Sequence, residues 1–180
     1  MKTAQEMYQF CIEKKFGHGL SEKWTLKHLE IIEQNLSTDE SVLMCFVGLH
    51  NFISPTKHDG NFAYAVTEKQ IIMAQKKLIG EESQTIFIDH INDILFNTGV
   101  AFSIITIDTA KGKFDIAIRR KYGVKINSKL HDQLYTLKQK FSKYNISDPV
   151  VEIQKYKKLL DSGVITQEDF DAKKKQILDL

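Results

Sequence analysis

Arg119, Arg120, Lys121, Lys125 and Lys129 crowd the stretch where a strand-like run, "KFDIAIRR", gives way to a lysine-rich segment. Cations in that arrangement suit phosphate. An anionic membrane surface gains about 1 kcal/mol per nearby basic residue, and nucleic acid gains by releasing counterions. The bland reading is a solvated helix face, or one that satisfies acidic neighbours such as those of the N-terminal segment, and lysine-rich faces usually serve that way. The net charge of +2 hides a strong asymmetry. Residues 1–110 hold 9 basic and 14 acidic side chains, whereas residues 111–143 hold 10 basic and 2 acidic.

Groups for acid–base or metal chemistry are sparser. His58-Asp59, and Asp89-His90 with Asp93, combine imidazole and carboxylate, but their turn-like surroundings favour surface hydrogen bonding. His50 lies in an apolar run and reads as a hydrogen-bonded core residue, and Trp24 as a packing anchor. Cys11 lacks a local activating pattern, with His28 its conceivable spatial partner. No phosphate-cradling G-x-x-x-x-G-K-[ST], dinucleotide G-x-G-x-x-G, nucleophile G-x-S-x-G or zinc H-E-x-x-H pattern occurs. The expectation is a protein without catalytic residues, metal, cofactor or small-molecule substrate.

The elements that position these residues belong to one sizeable core plus an appendage, since the 180 residues are 42% hydrophobic and 27% charged. No apolar run reaches the roughly 18 residues of a membrane span, and "MKTAQEMYQF" has no secretory core. A cytoplasmic location follows as the expectation. Cys11 and Cys45 could pair, although reduced buried thiols suit a chain without an export signal better.

At the N-terminus, Ala4, Met7, Tyr8, Cys11 and Ile12 recur at helical spacing between Met1 and Phe16, until Gly17-His18-Gly19 interrupts them. Ser21 can cap a second helix, with Trp24, Leu29, Ile32 and Leu36 on its apolar stripe. Residues 1–37 thus form a helical extension.

From residue 38 the period changes. "VLMCFVGLHNF" suits a buried strand. "NFAYAV" and "QIIMAQ" flank Thr67-Glu68-Lys69 as a hairpin, and "AFSIITID" and "KFDIAIRR" flank Thr109-Ala110-Lys111-Gly112 as another. Between them "TIFIDHINDILFN" reads as one strand bent at Asp89-His90, with Ile86, Ile88, Ile91 and Ile94 facing inward, so about six strands are expected. A helix beginning at Ser128 then carries Leu130, Leu134, Leu137, Phe141 and Tyr144 on one stripe. A strongly bent antiparallel sheet needs such a helix over its open end. In this order, "FAYAVTEKQIIMA", "TIFIDHINDI" and "FSIITIDTAKGKFDIAI" resemble the bacterial pleckstrin-homology-like families, closest to the YokE-like group. The resemblance implies an α+β fold over residues 38–146: an antiparallel barrel or sandwich capped by a C-terminal helix. Gln70 stands where such domains often carry a basic residue, so no charged-ligand site is inferred there.

The tail, residues 147–180, reads as a helical hairpin. Asp148 caps a helix with Pro149 at its first position; Ile153, Tyr156, Leu159 and Leu160 form its apolar side, and Gly163 ends it. Thr166 caps the second helix with Asp169 reaching back, and Phe170, Ile177 and Leu178 supply its contacts. "IQKYKKLLDSGVITQEDFDAKKKQIL" closely resembles the SHOCT short C-terminal domain, which implies a role in oligomerisation. A hairpin of about 30 residues can rarely offset its own chain entropy, so Ile153, Tyr156, Leu159, Leu160, Ile165, Phe170 and Ile177 are expected to meet something else. The leading expectation is a noncatalytic interaction scaffold that binds a protein partner or another copy of itself. The alternative is peripheral binding to anionic membrane or nucleic acid through residues 111–143.

Overall fold

The computed structural model describes residues 1–17, 19, 21–147 and 149–178, with the side chains of 142–147 left out. It comprises two compact units, Met1–Tyr135 and Thr136–Leu180.

Helix α1 spans Ala4–Lys14, shorter than the Met1–Phe16 pattern at both ends. Thr3 caps it in a reciprocal box: the Thr3 hydroxyl accepts from the Glu6 N–H at 3.2 Å, and the Glu6 carboxylate accepts from the N–H groups of Thr3 and Lys2. Those backbone donors hold the Glu6 carboxyl below its usual range. Lys15 ends the helix in the left-handed region, at φ 59°. Of the glycine break, Gly17 and Gly19 take positive φ, and His18 lies outside the described residues. Ser21 caps α2, Glu22–Gln34, as its sequence predicts. Trp24 is only half-buried, and the helix is anchored instead by Thr25, His28, Leu29, Ile31 and Ile32.

Seven strands follow, one more than the sequence suggests: β1 Val42–His50, β2 Asn61–Thr67, β3 Gln70–Lys76, β4 Glu81–Phe87, β5 Ile91–Thr98, β6 Phe102–Thr109 and β7 Gly112–Arg119. The extra one comes from "TIFIDHINDILFN". A one-turn 3-10 helix, Ile88–His90, splits it into β4 and β5. Ile88 is fully buried and its N–H reaches the Lys69 carbonyl at 2.9 Å, which stops β4 at the β2–β3 turn. Ile91 is buried too, but Ile86 and Ile94 are only half-buried. All pairings are antiparallel, in the order β4-β3-β2-β1-β7-β6-β5, and the sheet does not close: β4 and β5 remain its edges.

Strands β1 to β3 are apolar at almost every position because both of their faces are covered. On one face, Cys45, Ala63, Ala65, Ile72 and Ala74 join Met7, Cys11, Leu29, Ile31 and Ile32 of the two helices in a single core. The alanines leave room for the helices, and each large side chain buried here contributes about 1.5–3 kcal/mol. On the other face, Phe46 stacks on Tyr64 at 4.9 Å between centroids. Strand β6 instead alternates, with Ser103, Ile105 and Ile107 buried and their neighbours half-exposed.

Helix α3 spans Arg120–Ser147. It begins eight residues before the expected Ser128, directly off the end of β7, and Ile126, Leu130, Leu134 and Leu137 are buried along it while Phe141 is half-buried. The side chain of Tyr144 lies outside the described residues. Helices α4, Pro149–Asp161, and α5, Gln167–Ile177, pack on one another as the tail hairpin. Gly163, at φ 72°, donates its N–H to the Leu160 carbonyl, and Val164 donates to Leu159, so the α4 terminus is satisfied within the turn. Thr166 and Asp169 form the predicted capping box; the predicted Asp148 cap lies outside the described residues.

Candidate interaction surfaces

The tail hairpin keeps most of its apolar face in contact with solvent. Helix α4 buries no residue, and α5 buries Phe170. Ile153, Tyr156, Leu160, Ile165 and Ile177 are half-buried, while Leu159 is 39% exposed. All seven expected contact residues belong to one small hairpin, in which Lys173 of α5 lies 5.9 Å from the Tyr156 ring of α4 and the exposed Lys157–Asp161 pair at 3.0 Å lies within α4.

The basic residues run from the end of β7 along the first turns of α3. Arg119, Arg120, Lys121, Lys125 and Lys129 are all exposed, and none forms an ion pair with a described residue. Lysines elsewhere do pair: Lys69 with Asp39 at 2.8 Å, Lys77 with Glu82 at 2.6 Å and Lys113 with Asp108 at 2.8 Å. The acidic N-terminal segment does not neutralise the five. Lys121 lies instead 4.6 Å from the Tyr122 ring and Lys125 6.0 Å from the Phe16 ring. Beside them a cavity of about 220 Å³ is lined by residues including Gly17, Leu49, Asn61, Phe102, Arg119 and Tyr122. Nothing in the linear pattern singles out this cavity, because its walls come from five separate segments.

His28, His50 and His58 serve structure. His50 is buried against Phe62, with Nδ1 2.9 Å from the Tyr64 hydroxyl, and burial lowers its pKa. His28 is also buried; its Nδ1 accepts the Lys76 N–H at 2.8 Å, and desolvation lowers its pKa to about 4. That bond commits one of its ring nitrogens to the end of β3. The thiol neighbour of Cys11 is Cys45, with the sulfurs 3.5 Å apart and both residues buried and unbridged. The Cys11 hydrogen bond and burial together push the Cys45 thiol well up, away from nucleophilic reactivity. His58 accepts the Gly60 N–H, and Asp59 accepts from the Asn51 side chain, which orders the β1–β2 loop. His90 and Asp89 stand 4.0 Å apart and exposed, while Asp93 accepts the Ile94 N–H. Among the described residues no group of three His, Cys, Asp or Glu side chains could hold a metal ion.

Gln70 also has a structural task. Its amide donates to Glu40 Oε2 at 3.1 Å, and the Thr67 hydroxyl donates to Glu40 Oε1. Glu40 is 1% exposed, so these donors are what let a carboxylate sit beneath the β2–β3 turn.

No described helix is long and apolar enough to cross a membrane. No curated protein matches the chain. Among solved structures, the N-terminal PH domain of Vps36 is 14% identical, with 58% of this chain and 86% of that one covered at a TM-score of 0.45. The hSac2 domain from human phosphoinositide phosphatase Sac2 is 15% identical, with 63% and 85% covered at 0.46. The C-terminal domain of an unknown protein from Leishmania infantum is 15% identical, with 63% and 97% covered at 0.45. The family model for the short C-terminal domain, SHOCT, matches residues 152–178, and that for the bacterial PH domain matches residues 36–147. Together the two domains point to a noncatalytic binding or interaction module. With more than half of its length matched and its strands in this order, the chain belongs to the bacterial PH domain family.

Proposed function

We propose that the protein is a noncatalytic scaffold whose C-terminal hairpin joins copies of the chain, while the PH domain presents a separate binding surface. The observation that carries this reading is the exposure of the hairpin: a segment with Phe170 buried, no buried residue on α4, and Leu159, Val150 and Val164 at 39%, 60% and 69% exposure. Two helices of that length gain too little from their mutual contact to offset the entropy of ordering them. A second hairpin laid against the first by a two-fold axis would cover Leu159, Leu160 and Ile153 on both copies at once, which is the least demanding way to build an interface.

Light scattering over a range of concentrations tests it. The full chain should show a molar mass that rises to a multiple of the monomer, and a chain ending at residue 147 should remain monomeric. The variant Leu159→Asp/Leu160→Asp should behave as the truncation does while keeping its sheet. A full chain that stays monomeric at every concentration refutes self-association, and a stoichiometric complex with a different protein would assign the hairpin to that partner.

A further inference from the structure

The only tryptophan of the chain, Trp24, is half-buried rather than packed into the core, and it lines a cavity of about 330 Å³ between α2, the end of β3 and the β1–β2 loop. That volume lies near the lower limit for small-molecule sites and fits one or two fused rings. Trp24 supplies an aromatic wall, its ring 6.3 Å from that of His28, and Leu78 supplies an aliphatic one. The remaining walls are polar and include His28, His58 and Gln75.

The hydrogen bonds that these polar groups already make fix what they still offer. His28 Nδ1 accepts the Lys76 N–H, so the neutral ring carries its proton on Nε2. His28 is 5% exposed, and its Nε2–H has no acceptor among the described residues. A buried donor left in that state carries a desolvation penalty that an acceptor on a ligand relieves. Because burial lowers the His28 pKa, the ring stays neutral and the donor is present throughout the neutral range. His58 is held likewise, its Nδ1 accepting the Gly60 N–H and its ring stacked on Phe52. Gln75 faces the other way. Its amide nitrogen donates to the Asn61 carbonyl at 3.2 Å, which leaves Oε1 as an acceptor. The missing side chain of Gly60 makes room for that amide, since a Cβ there would stand 2.2 Å from Gln75 Nε2.

This combination distinguishes among ligands. Lys76, the lysine on the cavity wall, is paired with Glu81 at 3.2 Å, so it does not call for an anion. A purely aliphatic molecule would leave His28 Nε2–H and Gln75 Oε1 unmatched. A flat heterocycle meets every wall: its π face lies against the indole, a ring nitrogen accepts from His28 and an amino group donates to Gln75.

We infer that the cavity between α2 and β3 is a binding site for an uncharged nitrogen heterocycle the size of a nucleobase, which stacks on Trp24, accepts a hydrogen bond from His28 Nε2 and donates one to Gln75 Oε1. Helix α2 ends before the residues matched by the PH family begin, so the site is created by the N-terminal helices lying against the sheet. It does not rest on self-association of the chain.

Adenine is the probe, and the indole N–H of Trp24 gives the readout as a single signal in nitrogen–proton correlation spectra of the labelled full chain. Unlabelled adenine, added to about 5 mM, should move that signal along a saturating curve. Adenosine in a parallel titration separates two sources of the ring: binding of adenine alone assigns a free base, binding of both assigns a nucleoside, and binding of neither overturns the inference. Indole has the fused shape and an N–H but no acceptor for His28, and should bind at least roughly tenfold more weakly. Gln75→Leu should weaken adenine binding roughly fivefold. Trp24→Leu, followed by calorimetry because the signal is gone, should weaken it roughly tenfold or more, with circular dichroism unchanged because Trp24 is not a core residue. Indole that binds as tightly as adenine, or an adenine affinity that neither variant alters, also overturns the inference.

Discussion

Gly123 lies directly over Ser103. A Cβ placed on Gly123 would stand 2.2 Å from the Ser103 Cβ and 2.3 Å from its Oγ, so the first turn of α3 rests on β6 without an intervening side chain. The Ser103 hydroxyl is fully buried beneath it and has no hydrogen-bond partner among the described residues. Because Arg120 is already bound to the Ala101 carbonyl, this contact sets where the helix leaves the sheet.

Gly123→Ala should therefore destabilise the fold despite adding a good helix former, by about 1–3 kcal/mol as overpacking outweighs propensity. Adding Ser103→Gly should recover part of that loss by removing the atoms it strikes, whereas Ser103→Ala in the native background should be neutral or stabilise by about 1 kcal/mol, since it deletes an unsatisfied hydroxyl. Urea unfolding of the four proteins gives the whole cycle. Equal stability of Gly123→Ala and the native chain would show that α3 does not need the close approach.

The same contact explains why the start of α3 is hard to read in the sequence. "RKYGVKIN" has no capping residue ahead of it, carries a glycine and two β-branched residues, and continues an unmistakable strand, so local preference argues against a helix. Ser128, by contrast, offers a plausible cap in the middle of a real helix. Where local and tertiary demands agree, the sequence is legible: Ser21, Thr166 and Gly163 all perform the capping roles their types suggest. Ile88 belongs to the harder kind, because nothing local says that its N–H will pair with Lys69 and break the strand. The surfaces divide similarly. The cations of β7 and α3 stand out as a linear cluster, whereas the exposure of Val100, Leu78 and Ile79 shows only in the fold.

Glu40 should be far more costly to remove than a surface carboxylate. It is buried and accepts from Thr67, Gln70 and the Ser37 N–H, so Glu40→Ala would leave buried donors unmatched beneath the β2–β3 turn. A loss of about 3 kcal/mol is expected. Asp39→Ala, which breaks the exposed Lys69 pair, should cost well under 1 kcal/mol by the usual worth of surface ion pairs. Thermal unfolding of both variants at one pH separates the two; equal effects would contradict the buried assignment.

His28 makes stability depend on acidity. Its folded pKa of about 4 lies below the ordinary value of 6.5, so the native state holds it neutral while the unfolded chain protonates it. The contribution is fully present above about pH 6.5 and is lost progressively as the pH falls toward 4, to a limit of about 3 kcal/mol. His50, lowered by burial as well, acts in the same direction. His28→Asn keeps an acceptor within reach of the Lys76 N–H but cannot titrate. Its stability, measured by denaturant unfolding from pH 7 to pH 4, should fall less steeply than that of the native protein; parallel curves would remove His28 from the account.

Thr166 connects the local chemistry of the hairpin to the assembly proposed for it. Its hydroxyl accepts the Asp169 N–H at 3.2 Å, and the Asp169 carboxylate accepts from both the hydroxyl and the N–H of Thr166, which holds the Asp169 carboxyl below its usual range. Thr166→Ala removes the cap without touching Leu159 or Phe170, and should cost helix α5 about 1 kcal/mol. If assembly requires both hairpins folded, the cost falls on each of the two copies and must reappear as a dimer affinity roughly thirtyfold weaker in sedimentation equilibrium. Thr166→Ser, which preserves the hydroxyl, should restore it. Assembly that ignores the cap would mean that the helices of the hairpin are not what the copies recognise.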